Sequence, residues 1–280
     1  MSLRLTEIRV HPVKSTAIRP VESALVDGLG LAGDRRWMIV DESGECATAR
    51  ELPALFRIVA DTPDTDPGLT HALRLRAPGM REQLLATPSG ESVPVTVHGR
   101  PLDAIPAPGL DDWLAEATGR SDLRLVHLAR PRPLNPTYAR EGEMTAFADG
   151  YPVTLATTAS LRQLQDWVTE TAAERQAEVT QLAMDRFRPN LVVDGDLEPF
   201  AEDRWSRIRI GETTFRVAKG VDRCVMTTIE PATLARGPEP IRTLARHRKR
   251  EGKTWFAMQL IPENGGRLTR GDEAVATSDD

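Results

Sequence analysis

Apolar and polar residues alternate through much of the first hundred positions. Near the start, Leu3 and Leu5, and again Ile8 and Val10, stand two residues apart. That spacing puts their side chains on one face of an extended chain. Similar alternation or β-branched enrichment, bounded by glycine, proline and aspartate, predicts strands over 3–13, 21–27, 36–41, 72–76 and 92–98. A run of short strands with little helix describes an all-β, barrel-like unit. The period changes at 109–118, where Leu110, Trp113, Leu114 and Ala117 recur at helical spacing, and a strand follows at 123–128.

Periodicity then lapses over 129–151, a stretch of proline and glycine long enough to be a functional loop or a linker. Beyond it the pattern predicts a strand over 152–157 and the longest helix over 160–178. Leu161, Leu164, Trp167, Val168 and Ala172 share one face of that helix, and Ser160 with Gln163 forms a capping box at its start. Strands are expected again at 191–193, 208–217, 225–229 and 256–261. The fold class is therefore mainly β with α, in two domains, 1–120 and 121–280.

Composition narrows the chemistry. The chain has 280 residues, 28% of them charged, and a net charge of −5, so nucleic acid is not its main partner. No apolar run approaches the roughly 18 residues of a membrane helix, and the N-terminus lacks the unbroken apolar core of a signal peptide. A soluble, cytoplasmic protein is expected, with no membrane partner. Of the 36 basic residues only four are lysine. The segment RHRKREGK (246–253) reads first as a solvated charged stretch and second as a surface for an acidic redox partner.

Two cysteines, Cys46 and Cys224, exclude a disulfide scaffold and any zinc site built on paired cysteines. Cys46 reads as a packed strand residue. Cys224 is open to three readings: a buried core thiol, a nucleophile, or a soft metal ligand helped by basic neighbours such as Arg223. Gly28, Gly30 and Gly33 match G-x-G-x-x-G, but a strand pattern follows where a dinucleotide site needs a helix. They read as turn glycines.

Four segments in order, HPVKS (11–15), GLAGDRRWMIVDESGECATAR (30–50), RFRPNLVV (186–193) and DRCVMTTIEP (222–231), resemble the MOSC proteins that carry an N-terminal β-barrel domain. The resemblance spans nearly the whole chain and extends to the molybdenum-cofactor enzymes related to the amidoxime-reducing component. It implies a MOSC-type barrel behind an N-terminal barrel-like domain. It also implies molybdenum bound by the Cys224 thiolate, the catalytic position, and a molybdopterin held by Lys14, Ser15, Arg35, Thr157, Thr158, Ser160, Arg188 and Asn190. A soft thiolate suits such a metal, and cations with hydroxyl and amide donors suit a pterin phosphate.

The activity implied is reduction of small N-hydroxylated compounds such as hydroxylamines, amidoximes and N-hydroxylated bases. Two cysteines cannot ligate an iron–sulfur cluster, and no flavin or nicotinamide site is evident. Electrons are expected from a separate ferredoxin or flavoprotein reductase system. The rival readings are a non-catalytic cofactor carrier or sulfur-transfer protein, with persulfide on Cys224, and a structural β protein without any cofactor.

Overall fold

The computed structural model describes residues 3–278. Seven strands close a barrel: β1 (Leu3–Val10), β2 (Val153–Thr157), β3 (Leu191–Asp194), β4 (Arg207–Ile210), β5 (Thr213–Asp222), β6 (Lys253–Pro262) and β7 (Glu273–Thr277). Around the barrel they run β2, β3, β1, β7, β4, β5, β6 and back to β2. Of these pairings β2–β3 is parallel, and the others are antiparallel. Closure removes the exposed sheet edges that would otherwise template aggregation.

The alternation read from the sequence points into this barrel. Leu5, Ile8, Leu155, Val193, Ile208, Ile210, Phe215 and Leu260 are all buried. Each fully buried aliphatic or aromatic side chain contributes about 1.5–3 kcal/mol. In β1 the register against β3 shifts between Leu5 and Glu7, so Leu5 and Ile8, three apart, both face inward.

The expected strand over 208–217 is two strands, β4 and β5, joined by a tight turn. Gly211 takes φ 54° there, and a Cβ on it would lie 2.8 Å from the Asp272 carboxylate. The long helix, α1, spans Thr158–Glu174 and so starts and ends earlier than its apolar stripe suggested. Its N-cap is Thr157, whose hydroxyl accepts the Ser160 N–H at 3.2 Å. Ser160, assigned the cap from the sequence, is instead the third helical residue, and no capping box with Gln163 forms. A second helix, α2, covers Ile241–His247.

The strand expected at 225–229 is instead a 3₁₀ turn, Val225–Thr228. Its threonines bind their own backbone: Thr227 Oγ1 donates to the Cys224 carbonyl at 3.0 Å, and Thr228 Oγ1 to that of Val225 at 2.7 Å. Local hydroxyl bonding outcompetes the β propensity of these residues.

Residues 1–9, 22–27 and 153–280 form one compact unit, and residues 10–21 and 28–152 form the other. The second unit contains a four-stranded sheet in the order Trp37–Val40, Arg124–Leu128, Arg100–Ala107, Val93–Val97, and a three-stranded sheet of Val59–Asp61, Leu73–Arg76 and Gln83–Leu85. Met38, Val40, Cys46, Val95, Val97, Ala104, Val126 and Phe147 pack as one core. Cys46 is a packed residue bridging to Val40, as its surroundings in the sequence implied. The helix Asp111–Thr118 ends at Gly119 with φ 78°. Strand Arg100–Ala107 escaped the pattern reading because Pro101 and Pro106 argue against a ladder.

Gly30 and Gly33 have φ 100° and 73°, and the next regular element is the strand Trp37–Val40. With no helix beginning there, these glycines serve turns and cannot present a helix N-terminus to a pyrophosphate. Among the described residues, no helix is long and apolar enough to cross a membrane.

Candidate functional site

Cys224 is placed by the end of β5. That strand ends at Asp222, opposite Trp255 of β6, and the Arg223 N–H extends the ladder to the Thr254 carbonyl at 2.8 Å. Cys224 then caps the 3₁₀ turn in extended conformation, with its side chain half-buried and its sulfur in no disulfide. The C-terminal end of β2 lies at the same barrel end, because Leu155 pairs with Met258 on the other side of β6. The thiol and the start of α1 therefore share one end of the barrel.

Arg223 is fixed more tightly than a surface arginine. Its Nε donates to the Phe256 carbonyl at 2.7 Å and its Nη1 to the Phe187 carbonyl at 3.0 Å. The guanidinium also lies 5.6 Å and 5.9 Å from the Phe187 and Phe256 ring centroids. Nη2 is buried and has no hydrogen-bond partner. Desolvation draws this guanidinium down to about 9, against the opposing charges of Cys224 and Asp222, so it stays cationic at neutral pH. A buried N–H donor left over at the base of the turn that carries Cys224 is a place for an anionic ligand. The sequence marks Arg223 only as a basic neighbour of Cys224, because one arginine among 32 carries little signal for an anion contact.

The RFRPN segment meets the same turn. Arg186, buried, donates to Glu230 at 2.7 Å and to the Thr227 carbonyl at 3.4 Å, bracing the turn that follows Cys224. Arg188 is buried in left-handed conformation (φ 49°) directly after Phe187. Asn190 is fully buried: its Oδ1 accepts the Thr154 N–H at 3.1 Å, and its Nδ2 donates to the Arg9 carbonyl at 3.1 Å. These bonds tie β1 to β2 and give Asn190 a structural part in the barrel.

At the start of α1 the three predicted hydroxyls differ. Ser160 Oγ donates to the Glu202 carboxyl at 2.7 Å and accepts from Thr157 Oγ1 at 2.9 Å and the Phe200 N–H at 2.8 Å. It is spent on packing. Thr157 is buried as the cap, and Thr158, half-buried, donates to Asp194. Burial pushes the Glu202 carboxyl up, even though the Ser160 and Thr157 hydroxyls favour its charged form.

In the other unit, three segments distant in sequence converge around Lys14. Its Nζ donates to the Phe147 carbonyl at 2.8 Å and forms an ion pair with Asp149, while Asp149 also meets His98 Nε2 at 3.0 Å. Ser15, next to it, has φ 68°. Arg35, at φ 50°, pairs with the buried Asp34, which accepts the His11 N–H at 2.7 Å and faces His11 Nδ1 at 3.1 Å. Burial raises the Asp34 carboxyl, but Arg35 and His11 outweigh it and hold it at about 2. The Phe147 N–H binds the Arg35 carbonyl at 3.2 Å, so the long loop is anchored to both the HPVKS and GDRRW segments.

Among the described residues, no group of three His, Cys, Asp or Glu side chains comes together to hold a metal ion. A metal at Cys224 would take one protein thiolate and bring its other ligands on an organic group. The accessible thiol, the leftover Arg223 donor and the helix N-terminus at the same barrel end fit a soft metal carried by an anionic cofactor.

Comparison with known proteins agrees with this anatomy. The MOSC domain model matches residues 143–275, and the model of the MOSC N-terminal beta barrel domain matches residues 2–121. The chain is 31% identical over 267 residues to mitochondrial amidoxime-reducing component 1 of Danio rerio, covering 89% of this chain and 76% of that protein. It is 28% identical over 290 residues to the Homo sapiens protein of that name, covering 96% and 81%. A molybdenum cofactor sulfurase of Solanum lycopersicum is 28% identical over 305 residues, covering 98% of this chain and 36% of that protein. With its barrel, its N-terminal β unit and its cysteine turn, the chain belongs to the family of MOSC-domain proteins that bear the MOSC N-terminal β-barrel domain.

Proposed function

We propose that this protein is a molybdenum-cofactor-dependent reductase of N-hydroxylated compounds, supplied with electrons by a separate protein. The observation that carries this reading is the half-buried Cys224 in the turn at one end of the barrel, following Arg223 with its buried donor without a partner. Relatives named amidoxime-reducing component, matched along most of their length, support it.

When bound, the cofactor would supply two-electron reduction at its metal. Cys224 would give the protein's ligand to that metal. Arg223, Arg188 and the backbone N–H groups at the start of α1 neutralise and orient the cofactor's anionic part, with Thr157 and Thr158 shaping that turn. Ser160 positions the turn through Glu202 and does not touch the cofactor. On the other unit, Lys14 and Arg35 are engaged by Asp149 and Asp34, with Ser15 beside Lys14, so an anion bound there would compete with those carboxylates. Overall, R₂N–OH, two electrons and two protons yield R₂NH and water.

The test is substrate-dependent oxidation of a reduced viologen dye by molybdenum-loaded protein. Turnover of an amidoxime with dye, and none with NADH or NADPH alone, is the expected result. Absence of dye-driven turnover in protein with stoichiometric molybdenum would overturn the reading.

The sulfurase relative, which matches 98% of this chain, favours a second reading as a cofactor carrier or sulfur-transfer module. Its sulfur-transfer form places a persulfide on Cys224, and its carrier form leaves the thiol unmodified but gives no dye-driven turnover. Mass spectrometry of the isolated protein, with the dye assay, separates them: a mass gain of one sulfur on the peptide containing Cys224 belongs to transfer, and an unmodified thiol with dye-driven turnover to reduction.

A further inference from the structure

The basic segment RHRKREGK (246–253) is not uniformly solvated. Arg246 pairs with Glu174, the last residue of α1, whereas Arg248 and Arg250 both reach Asp203 in the 3₁₀ turn Ala201–Arg204. A cleft of about 430 Å³ lies there, lined by Pro199, Phe200, Asp203, Arg204, Arg248 and Arg250. That volume falls within the roughly 300–1,000 Å³ of small-molecule sites. Neither Cys224 nor Arg223, Arg188, Thr157 or Thr158 lines it.

The charges of the cleft do not balance. Three guanidinium groups stand against the one carboxylate of Asp203, which leaves two positive charges in excess. Asp203 meets both of its partners with a single oxygen: Oδ2 accepts from Arg248 Nη2 at 2.6 Å and from Arg250 Nη2 at 3.0 Å. The two guanidinium groups therefore converge on one point, and each has further N–H donors for a second acceptor. Arg204, exposed, brings the third cation from the turn itself. An isolated surface ion pair cancels its own field, whereas two cations sharing one acceptor beside a third leave a field that draws an anion.

The frame of the cleft is fixed by bonds within the barrel unit. Phe200 enters the turn in left-handed conformation, with φ 62°, and its N–H donates to Ser160 Oγ at 2.8 Å. Its ring carries the buried Arg248 guanidinium 4.0 Å from its centroid and stacks with Trp167 at 5.4 Å. The Arg248 carbonyl accepts the Trp255 N–H at 3.2 Å, and the Arg250 carbonyl accepts from Trp255 Nε1 at 3.1 Å. Donors held in place in this way lose little freedom when a ligand arrives.

Guanidinium forks match phosphate oxygens two at a time, and a phosphate monoester carries about 1.5–2 negative charges at pH 7. That charge equals the excess in the cleft, and one tetrahedral group suits donors that converge on one point. We infer that this cleft binds a small, soluble phosphate monoester. Arg204, Arg248 and Arg250 hold its phosphoryl group beside Asp203, and its carbon part lies against Pro199 and Phe200. The site is independent of the reductase reading, because none of its residues serves Cys224.

The experiment is isothermal titration of the full chain, cofactor-free and molybdenum-loaded, with glycerol 3-phosphate as the probe. One-to-one binding of equal affinity in both forms is expected. Binding lost on loading would put the probe on the cofactor's own anion contacts and overturn the cleft, as would no binding at millimolar probe. Arg204→Ala and Arg250→Ala change exposed side chains, and each is expected to weaken binding about tenfold with an unchanged Tm, since a charge-assisted hydrogen bond is lost. Unchanged affinity in either variant overturns the assignment. Succinate, a dicarboxylate of similar charge, should bind at least about tenfold more weakly than the monoester, because its two anionic groups are set apart. Equal binding of succinate would refute a phosphate site. Capture of vesicles containing phosphatidic acid, with no binding of glycerol 3-phosphate, would move the phosphate group to a membrane surface and refute a soluble ligand.

Discussion

Arg223 Nη1 donates to the Phe187 carbonyl at 3.0 Å, joining the residue before Cys224 to the residue before Arg188. With the bonds from Arg186 to Glu230 and the Thr227 carbonyl, this bond holds together two motifs that lie far apart in the chain. The remaining guanidinium nitrogen, Nη2, is buried and faces no partner. The same side chain fastens the turn and keeps one buried donor unused.

Replacing Arg223 by Lys keeps the charge and loses the fork that reaches both carbonyls. Loss of such bonds costs about 1.5–3 kcal/mol. We expect a Tm lower by several degrees and pterin retention after dialysis reduced about tenfold, since each 1.4 kcal/mol is a factor of ten. A variant with wild-type Tm and wild-type pterin content would show that Arg223 fixes neither the turn nor the cofactor.

Much of this was legible in the sequence. Period-two alternation marked strands such as β4, buried on one face only, whereas β2, β3 and β6, buried on both faces, read as short apolar runs. The misses share a cause in local chemistry that periodicity does not encode. Thr227 and Thr228 bond their own backbone and turn an apparent strand into a 3₁₀ turn. Gly211 breaks an apparent long strand, and Pro101 and Pro106 disguise a real one. For the site, the motif resemblance pointed to Cys224 and Arg188, whereas the saturation of Ser160 by Glu202 and the leftover donor of Arg223 exist only in three dimensions.

Asp34 links pH to stability in the N-terminal unit. Its folded pKa of about 2 lies below the ordinary 3.8, so its contribution is present above pH 4 and is lost as pH falls through 2. The shift is equivalent to about 2 kcal/mol. Asp34→Asn is expected to be less stable by about that amount at pH 7, and to lose the part of the acid destabilisation between pH 4 and 2 that belongs to this group. Identical acid unfolding curves for the two proteins would remove Asp34 from this role.

Glu202 behaves in the opposite sense. Its folded pKa is raised above 4.5 by burial, so its contribution to stability is greatest below that value and declines as pH rises through the folded pKa. Glu202→Gln keeps an acceptor for Ser160 and removes the ionisation. It should match wild type in urea at pH 5 and equal or exceed it at pH 8. Glu202→Ala strands the Ser160 and Thr157 hydroxyls and should lose about 1–3 kcal/mol at both. A glutamine variant weaker than wild type at pH 8 would mean that the ionised carboxylate is the stabilising form.

The two thiols should differ in reactivity for reasons set by their surroundings. Cys46 is 6% exposed, and burial pushes its pKa up to about 12, leaving on the order of one thiolate in ten thousand at pH 8. Cys224 is half-buried at the open end of the barrel. Iodoacetamide at pH 8 is therefore expected to add one carbamidomethyl group to cofactor-free protein, on Cys224, and a second on Cys46 only after denaturation. Loading with molybdenum cofactor should slow the first reaction at least about tenfold, because a metal-bound sulfur has its nucleophilic lone pair engaged. Peptide mass spectrometry over a time course reads both sites at once. Labelling of Cys224 at the same rate in loaded and cofactor-free protein would separate the thiol from the metal, whatever activity the loaded protein displays.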